Sequence, residues 1–284
     1  MCVPLPSGTS GAVPVTNSNR GMEVEYTGDV TRHEPTLEVR KYYERILPFY
    51  EKEKESLARS HLDFWVSLAR NWRPRRILDL GAGLGRITSA LARHAPTIGT
   101  DISLEMLRCA VRRLPPQSRA HFVAADMRHA ALAGPFDLII ASSDPFCHLT
   151  TAADRRKALR AVTEQLSERG HFVLEGLYRR REIFEPPPRR LRYSNGVLSI
   201  TEKWQPVGSR QLWHARYRYR DRPSTGGESE VEASFIARAW EPADIRVFFA
   251  SCGLSIEKLW GDFDRRPFRI GAKRLVAVAR RLDR

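Results

Sequence analysis

An aspartate inside an apolar run, followed at once by three alternating glycines, carries the most specific chemistry in this sequence: Asp79-Leu80-Gly81-Ala82-Gly83-Leu84-Gly85. Glycine has no Cβ, so its backbone takes positive φ and approaches a ligand closely just before a helix begins. Dinucleotides use such a turn with the spacing G-x-G-x-x-G, but here the third glycine comes one residue early. That spacing, with Asp79 before it, favours a ligand with a cationic amino-acid end over a pyrophosphate. About 20 residues further on, Asp101 closes a second apolar run, where an acid accepts hydrogen bonds from ribose hydroxyls. Asp126 and Met127 follow a third run, and Ser142, Asp144 and His148 follow a fourth. Carboxylates and a histidine near a reacting centre can hold an amine or take a proton from a hydroxyl. Each acid also has a purely structural reading, as a helix cap or a strand end.

The elements that must position these residues are legible as changes of period. Ile77, Leu78 and Leu80 form a short buried strand, and Ile87, Ala90 and Leu91 then recur at helical spacing. Further strands are expected at Thr97 to Ile102, His121 to Ala125, Phe136 to Ser142 and His171 to Glu175, with a helix between the last two closed by Gly170. In an open α/β sheet the ligand crevice lies outside the carboxyl ends of the strands, so the four acids converge there. Ahead of the sheet, Leu37 to Leu47 and Leu57 to Trp72 read as two helices. The stripe Leu57, His61, Trp65 and Leu68 suits a lid over the crevice mouth.

After Pro186-Pro187-Pro188 the period becomes two, in Val197 to Trp204, Leu212 to Arg220 and Glu230 to Trp240. Trp213, Ala215, Tyr217 and Tyr219 share one face of the second segment, and His214, Arg216, Arg218 and Arg220 share the other. A turn at Gly226-Gly227 would set Arg220 opposite Glu230 and Arg218 opposite Glu232, pairing opposite charges. Pro242 fits the first turn of a helix stopped by Gly253, and Leu254 to Trp260 and Leu275 to Ala279 supply two last strands.

In their order, DLGAGLGR, TDISLEML, AADM and FDLIIASSDPFCHL resemble the class I S-adenosylmethionine-dependent methyltransferase family, over roughly residues 37 to 281. The resemblance implies an α/β Rossmann-like fold: a mixed seven-stranded sheet with helices on both faces, an N-terminal helical lid, and an antiparallel β insertion after the fifth strand. It also implies the cofactor S-adenosyl-L-methionine. Gly81, Ala82, Gly83, Gly85 and Arg86 would cradle its methionine portion, and Asp79 would reach its ammonium, directly or through water. Asp101 with Ile102 would hold the ribose, and Asp126 the adenine amino group, with the Met127 backbone on the ring edge. Ser142 and Tyr43 complete the cofactor set. Phe146-Cys147-His148-Leu149 resembles the glycine N-methyltransferase pattern N-S-F-A-H-L, with Asp144 and Pro145 replacing Asn and Ser. The resemblance makes Asp144 and His148 the catalytic candidates, and Phe146, Trp204, His214 and Tyr217 the substrate-binding ones. No metal ligands are indicated.

The whole composition is compatible with one enlarged domain: 284 residues, 42% hydrophobic. Residues 1–30 read as a flexible leader, 31–74 as the lid, 75–182 with 240–284 as the core, and 183–239 as the insertion over the substrate site. No apolar run approaches a membrane span of roughly 20 residues. Cys2, Cys109, Cys147 and Cys252 show neither zinc nor disulfide spacing, so a reducing cytoplasm is the expected setting. The formal charge of +14 invites an RNA partner. Arg, however, supplies 40 of the 47 basic side chains and is dispersed, with denser groups at Arg179-Arg180-Arg181, Arg189-Arg190 and Arg265-Arg266. A solvated basic face explains that distribution more simply. The expected activity is methyl transfer to nitrogen or oxygen of a small molecule. An RNA methyltransferase and a non-catalytic cofactor-binding protein are the alternatives.

Overall fold

The computed structural model describes residues 13–15, 34–55, 59–129, 132, 134–178, 190–223 and 226–282. The chain begins with β1 (Val13–Val15), α1 (Glu34–Glu55) and α2 (Arg59–Trp72). There follow β2 (Ile77–Leu80), α3 (Arg86–Leu91), β3 (Thr97–Asp101), α4 (Leu104–Arg112), β4 (Ala120–Ala124) and β5 (Phe136–Ala141). A single 3-10 turn, Pro145–His148, leads to α5 (Ala152–Gln165) and β6 (Leu166–Gly176). Next come β7 (Arg190–Ser194), β8 (Leu198–Val207), β9 (Ser209–Asp221) and β10 (Ser229–Arg238). The chain closes with α6 (Ile245–Ala250), β11 (Leu254–Trp260) and β12 (Leu275–Arg281).

The main sheet has the order β1-β4-β3-β2-β5-β6-β12-β11. Strands β2 to β6 are parallel, and β12 and β11 are antiparallel additions, which together make the expected mixed sheet of seven. The eighth strand, β1, pairs antiparallel with β4; it is the part of the expected leader that lies within the described residues. Leu78, Ile139, Ile140, Phe172, Val173 and Ala277 are wholly buried, as strands covered on both faces by helices must be. Helix α4 is capped by the Ser103 hydroxyl accepting from the Met106 N–H, and α5 by Thr151 accepting from Asp154.

Two boundaries depart from the sequence reading for identifiable reasons. The helix expected to close at Gly170 ends at Gln165, and Gly170 lies within β6, where the pairing with β5 shifts register between Phe136 and Leu138. A Cβ there would stand 2.8 Å from Leu166 and 2.9 Å from the Phe136 carbonyl, so the glycine serves a close backbone pass rather than a helix stop. Helix α1 continues past Pro48 to Glu55. Ile46 and Phe49 are buried against the insertion, and that packing carries the helix across the bond proline cannot make.

The insertion is a four-stranded antiparallel sheet, β10-β9-β8-β7. Its register places Arg220 opposite Glu230 and Arg218 opposite Glu232, as the alternation predicts. Strand β7 is one strand more than the sequence period shows. The inner face buries Ile200, Trp213, Ala215 and Tyr219 against Tyr42, Ile46 and Phe49 of α1. Tyr42 and Tyr219 join hydroxyls at 3.0 Å, so helix and insertion form one packed unit beside the sheet.

Candidate active site

A cleft opens at the carboxyl ends of β2 to β5. Its empty volume is about 1230 Å³ with the open mouth included. The floor is the glycine turn, where Gly81, Gly83 and Gly85 all have positive φ, at 72°, 54° and 70°. Their roles differ. A Cβ on Gly85 would strike the Phe122 ring at 2.4 Å, and one on Gly81 would strike Pro145 at 2.5 Å, so these two permit the packing of α3 and of the loop after β5. A Cβ on Gly83 would meet nothing within 4 Å. Gly83 thus presents bare backbone to the cleft, as a ligand cradle requires.

Asp101, at the end of β3, lines the cleft and anchors this cradle. Its Oδ2 accepts from the Gly83 N–H at 2.8 Å and its Oδ1 from the Ser103 N–H at 2.9 Å. Burial pushes its carboxyl up, while those backbone bonds oppose the rise. Each oxygen keeps lone-pair capacity for a ribose hydroxyl. Gly81, Ala82, Gly83, Arg86, Ile102, Asp126, Met127, Ser142 and Tyr43 line the same cleft. Asp126 is already engaged: Arg128 bonds both of its oxygens and reaches across to Asp154 at 2.9 Å. An adenine amino group there would share the carboxylate with that guanidinium.

Asp79 stands behind the cleft wall, 1% exposed. Its Oδ2 accepts from the Thr88 hydroxyl at 2.6 Å, and its Oδ1 is buried with no partner. Burial pushes its carboxyl up to about 7. An orphaned carboxylate oxygen beneath the glycine turn suits an incoming ammonium, reached through water. Together with the open Gly83 face and Asp101, it makes the residues present fit an amino-acid-bearing nucleoside.

The loop after β5 divides its residues between cleft and core. His148 lines the cleft; its Nε2 lies 2.8 Å from the Tyr43 hydroxyl, and its Nδ1 is buried without a partner. Burial pushes its pKa down to about 4, so the ring is neutral at physiological pH. Phe235 of β10 lies 4.7 Å from that ring, and Tyr50 stands edge-on to Tyr43, closing an aromatic rim. Asp144 turns the other way. Its backbone is left-handed, φ 50°, and its buried Oδ2 accepts from the Leu177 N–H at the end of β6. Burial raises its carboxyl to about 7, against the pull of Arg155.

The expected substrate residues lie apart from the cleft lining. Phe146 is fully buried in the core against Phe172 and Trp240. Trp204 and Tyr217 pack edge to face inside the insertion, and His214 lies on the opposite face of β9. His61, expected as part of the lid stripe, and Glu175, expected only as a strand end, also belong here. His61 of α2 lines the cleft, and Glu175 stands behind it, bonded to His61 and to the Ser143 N–H. An acid ending the apolar run Phe172-Val173-Leu174 was the available signal for Glu175. Among the described residues no group of three or more acids, histidines or cysteines is placed to hold a metal ion.

Known proteins resemble the chain in these same parts. Residues 77–170 match a family model described as a methyltransferase domain. A trans-aconitate 2-methyltransferase of Rhodopseudomonas palustris (strain BisB5) is 28% identical over 169 residues, 51% of this chain and 62% of that protein. One from Streptomyces avermitilis is 41% identical over 76 residues, 25% of this chain and 28% of that one. The chain therefore spans less than two thirds of the curated relatives it matches. Among solved structures, an S-adenosylmethionine-dependent methyltransferase from Clostridium acetobutylicum superposes with a TM-score of 0.70 at 18% identity, covering 85% of this chain and 99% of that one. An amino pentose methyltransferase from Micromonospora echinaspora, solved with S-adenosylmethionine bound, gives 0.66 at 23% identity, covering 82% and 96%.

Proposed function

We propose that this chain, which belongs to the class I S-adenosylmethionine-dependent methyltransferase family, moves a methyl group to a nitrogen or oxygen of a small molecule. The bound donor supplies an electrophilic methyl on a sulfonium. The observation that carries the small-molecule reading is an aromatic cluster at the cleft: the Tyr43 ring of α1 lies 5.4 Å from that of His148 in the loop after β5, and His148 lies 4.7 Å from Phe235 of the insertion behind it. Aromatic walls of this kind suit a compact acceptor, which would displace water as it fills the cleft. The names of the relatives support the class, since they include trans-aconitate and amino pentose methyltransferases.

Transfer to a neutral nucleophile needs orientation more than acid catalysis. Asp101 and the Gly83 backbone fix the nucleoside end, and the faces of Tyr43 and Tyr50 attract a cationic centre. The Tyr43 hydroxyl, bonded to neutral His148 Nε2, is placed to orient the acceptor through a hydrogen bond. In this reading Asp144 positions the loop through Leu177 rather than touching the acceptor. The lid and insertion roles assigned to α1, α2 and β7 to β10 belong to the same reading.

Calorimetry with S-adenosylmethionine tests the donor half. Asp101→Ala is expected to weaken binding by about tenfold or more, the loss of two hydrogen bonds to a charged group. Unchanged affinity in Asp101→Ala would sink the assignment.

A further inference from the structure

Arg86 is a cation in the cleft wall that makes no ion pair with an acid among the described residues. It follows Gly85 directly, is half-buried, and lines the cleft. Among the described residues its guanidinium has one side-chain partner, His61 Nδ1 at 2.7 Å. Burial lowers its pKa, and no carboxylate counters that loss of hydration. The other arginine that lines this space, Arg128, lies between Asp126 and Asp154, and Arg274 outside the lining binds Glu175 and Asp262.

The network behind Arg86 holds it in place and fixes His61 as neutral. Arginine only donates, so His61 Nδ1 must be the accepting nitrogen. Nε2 then carries the proton and donates to Glu175 Oε2 at 3.2 Å. The Trp65 indole N–H, 3.3 Å from the same nitrogen, is a contact rather than a bond in this tautomer. Burial alone would raise Glu175, but the hydrogen bonds from His61 and the Ser143 N–H and the charge of Arg274 hold it below the ordinary glutamate range, so it stays ionised. Glu175 orients His61, and His61 orients Arg86, leaving the other guanidinium N–H groups for the cleft.

From this we infer that Arg86 is a carboxylate receptor, holding an acidic group of the molecules that meet in the cleft. One guanidinium beside a neutral imidazole balances one negative charge, which suits a carboxylate better than a phosphate dianion, and its planar fork matches two carboxylate oxygens. The sheet order places this receptor away from the nucleoside end. Asp101 and Asp126 follow β3 and β4 on one side of β2, whereas Glu175 lies on β6 on the other side. The inference rests on the methyltransferase reading and deepens it. The carboxylate belongs either to the methyl acceptor, which is then an organic acid, or to the amino-acid end of the donor.

Calorimetry separates the two sources in the wild type, Arg86→Gln and Arg86→Lys. One titration compares S-adenosylmethionine with its decarboxylated form. The other adds trans-aconitate, as a carboxylate probe, to the protein loaded with S-adenosylhomocysteine. A loss of about tenfold or more in Arg86→Gln, partly restored in Arg86→Lys, is expected in one of them. Loss for S-adenosylmethionine alone, with the decarboxylated form unaffected, places the carboxylate on the donor. Loss for trans-aconitate places it on the acceptor. No dependence on Arg86 in either titration overturns the inference while leaving donor binding intact. Failure of the wild type to bind S-adenosylhomocysteine would instead remove the methyltransferase reading itself. Melting temperatures of the variants within a few degrees of wild type show that the losses are local.

Discussion

A buried carboxylate with one oxygen unpartnered is costly, and Asp79 retains it directly before the glycine turn. Its carboxyl is raised from 3.8 to about 7 by burial, with the Thr88 hydroxyl opposing the rise. The folded protein therefore holds that proton more tightly than the unfolded chain does. Stability linked to Asp79 is full below pH about 4 and is lost as pH rises to about 7, to the extent of a few kcal/mol, on the order of 4 at most. Asp79→Asn carries no such titration. Its melting temperature is expected to exceed the wild type at pH 8 and to match it near pH 4, with weaker binding of S-adenosylmethionine at pH 8, where the wild-type carboxylate is ionised. An identical temperature difference at the two pH values would refute the assignment. At this scale the sequence was informative where a residue sits at a strand end, as Asp101 and Asp126 do. It was uninformative where a single backbone angle decides: the left-handed φ of Asp144 turns its carboxylate to Leu177, and nothing in Ser142-Ser143-Asp144-Pro145 reveals that direction. Likewise, His61 and Glu175 lie 114 residues apart, and only the packing of α2 over β6 brings them together.

Between elements, the contact that governs the cleft is α1 against the insertion, since α1 carries Tyr43 and β10 carries Phe235. Their interface is apolar at Tyr42, Ile46 and Phe49, and ionic at its far end. There Arg192 of β7 reaches Glu53 at 2.6 Å and Glu202 at 3.9 Å, and Lys52 pairs with Asp221. Arg192 is pushed well up by its acidic and aromatic neighbours against the effect of burial, which marks a guanidinium that stabilises both carboxylates. Arg192→Met leaves two buried acids without it. Breaking a fully buried pair costs about 3–5 kcal/mol; with the Arg192 side chain 33% exposed, about 2 kcal/mol is the expected loss in urea unfolding. Adding Glu53→Leu should recover part of it, and no recovery would argue against the pair as the cause. The alternation of β8 to β10, including the Arg218 to Glu232 register, was readable because one face is buried and the period is two. Strand β7 escaped that reading: Arg190-Leu191-Arg192-Tyr193-Ser194 is too short and too polar, and its pairing slips register between Leu191 and Tyr193.

Across the whole molecule the formal charge of +14 is the feature that most strongly suggests a nucleic-acid partner. Nonspecific binding to a polyanion depends on the number of cations free to displace counterions, not on composition. The arginine ladder of β9 does not supply them. Arg218 meets Glu230 at 3.3 Å and Glu232 at 2.7 Å, Arg220 meets Glu230 at 2.6 Å, and Arg222 meets Glu228 at 3.2 Å. These are exposed pairs of small energy, yet they weaken the field of that face by setting a carboxylate beside Arg218, Arg220 and Arg222, while Arg216 donates to Gln205. Arg179, Arg180, Arg181 and Arg189 lie outside the described residues. If the small-molecule reading holds, label from methyl-labelled S-adenosylmethionine incubated with cell extract enters the low-mass fraction. RNA binding then stays in the nonspecific range, Kd about 10⁻⁴ to 10⁻⁶ M at physiological salt. Replacing Arg218, Arg220 and Arg222 together by Gln should leave that low-mass labelling within about twofold, because the ladder faces away from Tyr43 and His148 and single exposed pairs contribute so little. Label in the RNA fraction that falls steeply with added salt, and falls again in the triple variant, would transfer the acceptor from a small molecule to RNA.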